Sequence, residues 1–133
     1  MKKFALFLIS VTALTVSQFA RAEENCSSKT ISWEVDNCSV RNKDATEAIL
    51  NKEYSAAKKR IEEEYKSDSS IVKFQLKTLL ETQRNWLKYR EGQCKMEASL
   101  ADEDSSAHLG MVSICINKLD KQRIAQFKEM PYG

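Results

Sequence analysis

The sequence lacks the residue patterns on which most enzyme active sites depend. It has a single histidine, His108, which lies in no metal-ligand or nucleophile pattern. A glycine-rich phosphate loop, a His-Glu-x-x-His string and a Gly-x-Ser-x-Gly string are all missing. Neighbouring acids such as Glu62 and Glu63 lie on a charged helix face, without apolar neighbours on that face that would tune a catalytic carboxyl. We therefore predict that the protein is not an enzyme and needs no cofactor.

Other absences narrow the fold class and the partners. The cysteines form no Cys-x-x-Cys pair, so a four-cysteine zinc site is disfavoured and no metal is expected. No basic stripe with interleaved aromatic residues occurs, which argues against nucleic-acid binding. No segment alternates apolar and polar residues for long enough to predict a strand.

The first 22 residues have the pattern of a bacterial signal peptide. Lys2 and Lys3 precede an apolar run over 4–16, and an Ala-Arg-Ala string at 20–22 fits a cleavage site. The alternative, an uncleaved membrane anchor, would need about 20 apolar residues. A lipid anchor is not expected, because Cys26 follows polar residues rather than a lipoprotein cleavage signal. We predict cleavage after residue 22, a periplasmic or secreted protein, and no membrane anchor afterwards.

The predicted mature chain forms one domain over 23–133. Removing residues 1–22 takes away three basic residues and no acidic ones, which leaves 18 basic against 19 acidic residues and a net charge of about −1. The slightly basic character of the whole sequence therefore belongs to the leader and gives no argument for an acidic partner.

The four cysteines all lie in the predicted exported part, at Cys26, Cys38, Cys94 and Cys115. An even count in an oxidising compartment favours two disulfides, and the sequence allows three pairings. We favour Cys26–Cys38 and Cys94–Cys115, because they close the shortest loops. In the chain-entropy model each would stabilise the fold by about 3 kcal/mol.

Helical periodicity predicts an all-α fold, a small antiparallel three-helix bundle with a short N-terminal helical arm. The arm is a helical turn over 33–38, and the three helices run over 43–66, 71–100 and 107–130. Asp44 suits an N-cap role for the first helix. The two connections are short, so consecutive helices should pack antiparallel.

The middle helix contains the most informative stretch, which runs over 83–94. Several residues recur there at three- and four-residue steps and share one side of the helix: Gln83, Trp86, Leu87, Arg90 and Cys94. Gly92 weakens the helix by about 1 kcal/mol relative to alanine, so either the helix bends there or another backbone approaches closely. In the last helix we expect an inner face that includes Met111, Ile114, Cys115 and Phe127.

The chain resembles the family of LprI-like lysozyme inhibitor domains over nearly all of its mature length. The resemblance is carried by Cys26 with Cys38, Leu50 with Tyr54, the string Gln83, Arg84, Trp86, Tyr89, Arg90 and Cys94, and finally Cys115. It implies an all-helical, disulfide-linked, exported and non-enzymatic domain, with lysozyme inhibition known for the family's namesake. The namesake is lipid-anchored, whereas this sequence has no lipid-attachment cysteine after its predicted cleavage site, so no lipid anchor is expected.

Two residues of the central string have alternative roles. In one interpretation, Arg90 hydrogen-bonds a carboxylate or helix-end carbonyls inside the bundle while Tyr89 covers an edge of the core. In the other, both residues belong to a recognition surface, since both residue types are common at binding hot spots. We assign Trp86 to the core.

The acidic connection over 101–106 is the candidate partner-binding site. Its carboxylates would meet basic groups around a lysozyme cleft, and nearby side chains would donate hydrogen bonds. The candidate residues are Asp102, Glu103, Asp104, Ser105, Ser106 and His108. The alternative is an ordinary solvated loop.

Three functions stay open at this point. The protein could inhibit a lysozyme or a related wall hydrolase, act as an immunity or binding module for another periplasmic protein, or serve as an envelope structural or stress domain without a tight partner. The oligomeric state is also open.

Overall fold

Three long α-helices make up most of residues 23–132, the part of the chain described by this computed structural model. A short 3-10 helix over Cys26–Ser28 comes first, followed by α1 (Ser32–Glu64), α2 (Ser69–Glu97) and α3 (Ser106–Lys128). No strand occurs within residues 23–132. The all-α fold with three helices is confirmed, whereas the predicted signal peptide over 1–22 lies outside the described residues.

Contacts between the helices give their relative directions. Asp36 near the start of α1 lies beside Gly110 near the start of α3, and Arg60 near the end of α1 donates to the carbonyl of Phe127 near the end of α3. These two helices therefore run the same way. The contacts of α2 with α3 occur in reverse order: Gln83 with Arg123, Arg90 with Asp120, Cys94 with Cys115, and Glu97 with Lys118. Consecutive helices are antiparallel, as the short connections predict.

The predicted break between an N-terminal arm and the first helix is wrong, because α1 is one helix of 33 residues. Asp44 lies inside it, and the residue at its N-cap position is Ile31, without a side-chain cap. The inner face of the N-terminal half of α1 is polar: Ser39, Asn42 and Thr46 are all buried. Apolar periodicity is therefore missing from a stretch that is nevertheless helical and packed.

Caps define the starts of the other two helices. The side chain of Asp68 accepts hydrogen bonds from the backbone N–H groups of Ser70 and Ile71, at 2.9 and 3.2 Å. The hydroxyl of Ser105 accepts from the backbone N–H of His108 at 3.1 Å. The predicted helices over 71–100 and 107–130 are thus confirmed to within three residues at each end.

The apolar core lies toward the end of the bundle where α1 and α3 finish and α2 begins. Its buried members are Leu50, Ala57, Ile61, Leu79, Ile124 and Phe127. At the opposite end the interior is smaller and built around Cys94, Cys115 and Leu119. The core therefore stabilises one end of the bundle more than the other.

The two disulfides are Cys26–Cys38 and Cys94–Cys115, the pairing we favoured, and no described cysteine is free. The first joins the N-terminal segment to α1, and the second joins the end of α2 to α3. Both lie at the end of the bundle where α1 and α3 begin. Covalent cross-links thus strengthen the end that has the smaller apolar interior.

The predicted inner face of α3 is partly wrong. Cys115 and Phe127 are buried, but Met111 and Ile114 are exposed. The positions that face the interior instead include polar residues: Ser113, Asn117, Asp120 and Arg123. Apolar side chains on this helix therefore do not all mark its packed side.

Gly92 lies at an open position on α2, since a Cβ atom built there meets nothing within 4 Å. Of the two alternatives for Gly92, a close approach of another described backbone is therefore excluded. We expect Gly92→Ala to raise the free energy of unfolding by about 1 kcal/mol, because alanine has less backbone entropy to lose in a helix. Urea unfolding followed by circular dichroism measures this change.

Gly110→Ala is the matched control. A Cβ atom at Gly110 would lie 2.4 Å from Oδ1 and 3.1 Å from Cβ of Asp36, so this change should not give the stabilisation expected at Gly92. Equal stabilisation by both variants would contradict the packing described for α1 and α3.

Candidate functional site

The central string of α2 faces into the bundle through every third or fourth residue. Gln83 is buried, and its side-chain oxygen accepts a hydrogen bond of 3.0 Å from Nε of Arg123. Trp86 is half-buried, and the guanidinium carbons of Arg90 and Arg123 lie 5.5 and 5.6 Å from its ring centroid. Cys94 closes the string through its disulfide to Cys115. These residues connect α2 to α3, as a structural role of the string would require.

Arg90 forms a buried ion pair that joins all three helices. It donates to Oδ1 of Asp120 on α3 at 2.8 Å and to Oε1 of Glu47 on α1 at 3.1 Å. Asp120 is fully buried, whereas Glu47 is half-buried. The interpretation of Arg90 as a carboxylate partner inside the bundle agrees with this geometry.

Burial and charge act in opposite directions on this pair. Burial raises the pKa of the Asp120 carboxyl, and the hydrogen bond and charge of Arg90 offset only part of that effect. Burial alone would lower the pKa of the Arg90 guanidinium, but the hydrogen bond and charge of Asp120, together with Glu47, outweigh it and raise that pKa. The charge of Arg90 therefore favours the ionised form of Asp120, which burial disfavours.

Two residues of the string point outward. Arg84 is exposed, and Tyr89 is 56% exposed. Tyr89 therefore lies outside the buried core, and its roles in covering an edge of the core or in recognition both stay predictions.

The acidic connection between α2 and α3 is exposed at its centre. Asp102, Glu103 and Asp104 all face solvent, and Glu103 pairs with Lys95 of α2 at 3.1 Å. Two residues before Asp102, Leu100 is 97% exposed. We call residues 100–104 the α2–α3 tip. It combines three carboxylates with an apolar side chain that has no packing role within the molecule.

The other candidate residues of this connection serve mainly to hold it in place. The Ser105 hydroxyl donates to the carbonyl of Asp102 at 2.6 Å, in addition to its capping bond. Nδ1 of His108 lies 3.2 Å from the carbonyl oxygen of Ala98. Ser106 is exposed at the first turn of α3. The carboxylates of the tip are more accessible to a partner than Ser105 or His108.

The sequence did not single out Glu47, Asp120 or Arg123. Each lies on a helix face that carries other polar residues, and each finds its partner on another helix. The inner position of Arg90 indicated that a carboxylate should lie nearby, but it did not indicate which one.

Within residues 23–132, no group of three or more histidine, cysteine, aspartate or glutamate side chains could hold a metal ion. Over the same residues, none of the helices is both long and apolar enough to cross a membrane.

Comparison with known proteins assigns the chain to a family. The family model described as lysozyme inhibitor LprI matches residues 23–127, which include all of α1 and α2 and nearly all of α3. The chain belongs to the LprI lysozyme inhibitor family. The LprI match spans both disulfides, the central string and the tip, so the resemblance read from those residues is confirmed.

A curated relative of this LprI family member is an uncharacterised protein of Rhizobium meliloti (strain 1021). The two are 29% identical over 111 residues, which cover 81% of this chain and 79% of the relative. No solved structure matches the chain. The description of the family names lysozyme inhibition as its general activity, but it does not identify a contact surface.

Proposed function

We propose that this LprI family member is an exported protein that binds a lysozyme, or a related hydrolase of the cell wall, and inhibits it without catalysis. The α2–α3 tip is the proposed contact surface. The observation that carries this proposal is the combination, in a member of an inhibitor family, of three exposed carboxylates with the fully exposed Leu100. Export is supported by the two disulfides and by the leader pattern over 1–22.

Charge supports the choice of the tip. Lysozymes are often strongly basic, although their cleft is lined by two catalytic carboxylates. An acidic tip would be attracted to the basic surface around such a cleft, which raises the association rate and fixes the orientation of the complex. Leu100 would supply apolar contact at the centre of the interface, where water is excluded.

The rigidity of the α2–α3 tip also supports its choice as the contact surface. The tip follows α2 and precedes α3, and the Cys94–Cys115 disulfide joins those two helices close to it. The bonds of Ser105 and His108 to the backbone restrict the connection further. A loop that is already ordered loses less conformational entropy when it binds, so more of the interaction energy contributes to affinity.

Clearing of a peptidoglycan suspension by several lysozymes, with the oxidised mature protein titrated in, tests the activity. We expect inhibition that saturates near one inhibitor per enzyme, because a binding protein acts stoichiometrically. Absence of inhibition for every lysozyme at micromolar excess would contradict the proposal and direct attention to other periplasmic partners.

Neutralising the tip tests the surface. We expect the triple variant Asp102→Asn, Glu103→Gln, Asp104→Asn to weaken inhibition at least about tenfold, or about 1.4 kcal/mol, and to reduce its dependence on salt. The reason is the loss of attraction between the tip and the basic enzyme. Inhibition constants at two salt concentrations measure both effects.

The matched control makes the same change of charge at the far end of α1, where Glu62, Glu63 and Glu64 are all exposed. Replacing these three by glutamine should leave the inhibition constant nearly unchanged. If both triple variants weaken inhibition equally, net charge rather than the tip is responsible. If neither does, the tip is not the contact surface.

A further inference from the structure

Arg123 is a buried cation that has no carboxylate partner among residues 23–132. It is 6% exposed, and Nε and Nη1 donate to the side-chain oxygens of Gln83 and Gln126, at 3.0 and 2.8 Å. The guanidinium carbon lies 4.7 Å from the ring centroid of Phe127. Nη2 is buried and has no hydrogen-bond partner, and no acidic residue in the described part of the chain forms a salt bridge with Arg123.

The contrast with Arg90 shows what is missing. Arg90, on the neighbouring helix, is equally buried but has two carboxylates within hydrogen-bond distance. A buried charge without a counter-charge is costly, and burial lowers the pKa of Arg123. Neutral amides and aromatic rings offset only part of this cost. An anion bound beside Arg123 would therefore improve the environment of this residue.

A cavity of about 250 Å³ adjoins Arg123 at the end of the bundle opposite the α2–α3 tip. Apolar side chains form one part of its wall, among them Ile61, Leu79 and Met130. Thr78 and Thr82 contribute hydroxyl groups from α2, and Tyr132 lies at the C-terminal side. Apolar walls with a few polar groups and one buried cation are the composition of a site for a small amphipathic anion.

We infer that this cavity binds a carboxylate that carries a short apolar chain. The carboxylate would pair with Nη2 of Arg123 and accept from a hydroxyl group of Thr78 or Thr82. The apolar chain would lie against Ile61 and Leu79. The same chemistry is offered by a free short-chain acid and by the C-terminal end of a peptide whose last side chain is apolar. This site is independent of the proposed inhibition, which uses the other end of the bundle.

Because Nη2 is covered, a carboxylate reaches it only after a small movement of the cavity wall, which we assign to the C-terminal segment. Tyr132 is held by two long hydrogen bonds: its hydroxyl donates to the carbonyl of Gln126 at 3.4 Å, and its carbonyl accepts from the Tyr65 hydroxyl at 3.5 Å. The preceding Met130 is held more firmly, by a bond of 2.8 Å from Nε of Arg60. Tyr132 can therefore move while the helix end stays in place.

Titration calorimetry of the oxidised mature protein tests the inference, with hexanoate as the probe for free acids and acetyl-Ala-Leu as the probe for peptide ends. Hexanol and hexylamine are controls for the apolar chain and for charge. We expect saturable one-to-one binding of at least one carboxylate and at least tenfold weaker binding of both controls. Preference for one carboxylate probe assigns the source.

Two variants locate the site. Arg123→Gln removes the charge, and Thr82→Trp fills the cavity from an exposed position on α2 without altering Arg123. Each variant should weaken carboxylate binding at least tenfold. The control Arg84→Gln removes the charge of an exposed arginine on α2 and should leave carboxylate binding unchanged. Failure of both carboxylates to bind, equal binding of hexanol, or unchanged binding by the Thr82→Trp variant would each overturn the inference.

Discussion

Asp120→Ala should destabilise the protein by about 3–5 kcal/mol, the largest effect we expect from a single substitution. The change removes the carboxylate that lies 2.8 Å from Arg90 and leaves a buried guanidinium with only the half-buried Glu47 as a partner. A small domain is stable by about 5–15 kcal/mol, so a loss of this size would greatly increase the unfolded fraction. Urea unfolding followed by circular dichroism gives the free energy directly.

Two controls distinguish the effect of losing the buried ion pair from the effect of removing a charged side chain elsewhere. Glu97→Ala removes the exposed partner of Lys118 and should have far less effect than Asp120→Ala. The double variant Arg90→Met, Asp120→Leu should be more stable than Asp120→Ala, because it removes both members of the pair and so leaves neither of them buried without its partner. A double variant as unstable as the single one would show that the interior depends on the pair for more than charge compensation.

Removing the Cys94–Cys115 disulfide by a double change to alanine should reduce stability by about 3 kcal/mol, in the chain-entropy model. This bond closes a loop of 21 residues, and both sulfur atoms lie in the smaller interior cluster. Because the same bond lies next to the tip, we also expect weaker lysozyme inhibition under conditions where the variant is still folded. Unfolding and inhibition measured on the same preparation separate the two effects.

The corresponding variant without Cys26–Cys38 is the comparison. Its loop separation is 12 residues, so its loss of stability should be slightly smaller, and it does not touch the α2–α3 connection. If the two variants lose inhibition in the same proportion to their loss of unfolding free energy, the tip does not depend on the nearby disulfide.

Local signals in the sequence were sufficient for the helices that have clear ends. The predicted helices over 71–100 and 107–130 correspond to α2 and α3, and both disulfides follow from a cysteine count with the shortest loops. The first half of α1 was not predicted correctly, because its buried residues include Asn42 and Thr46. A method that identifies helices by apolar periodicity misses a helix whose inner face is polar.

The site shows the same division. Trp86 and Arg90 could be placed on the inner side of α2 from spacing alone. Their partners could not, because Glu47 and Asp120 lie 43 and 30 residues away from Arg90 along the chain. Arg123 is separated from Gln83 by 40 residues. Which polar residues meet depends on the packing of three helices, and a single sequence does not contain that information in its local pattern.

The placement of both disulfides at one end of the bundle has a consequence for how the molecule opens. With both bonds intact, amide hydrogens at that end should exchange slowly although little apolar surface is buried there. After reduction, exchange should accelerate first at the start of α1, the end of α2 and the start of α3. Amides around Ile61, Leu79 and Phe127 should stay protected, since the apolar core there needs no cross-link. The oxidised chain would then behave as one cooperative unit, and the reduced chain as two.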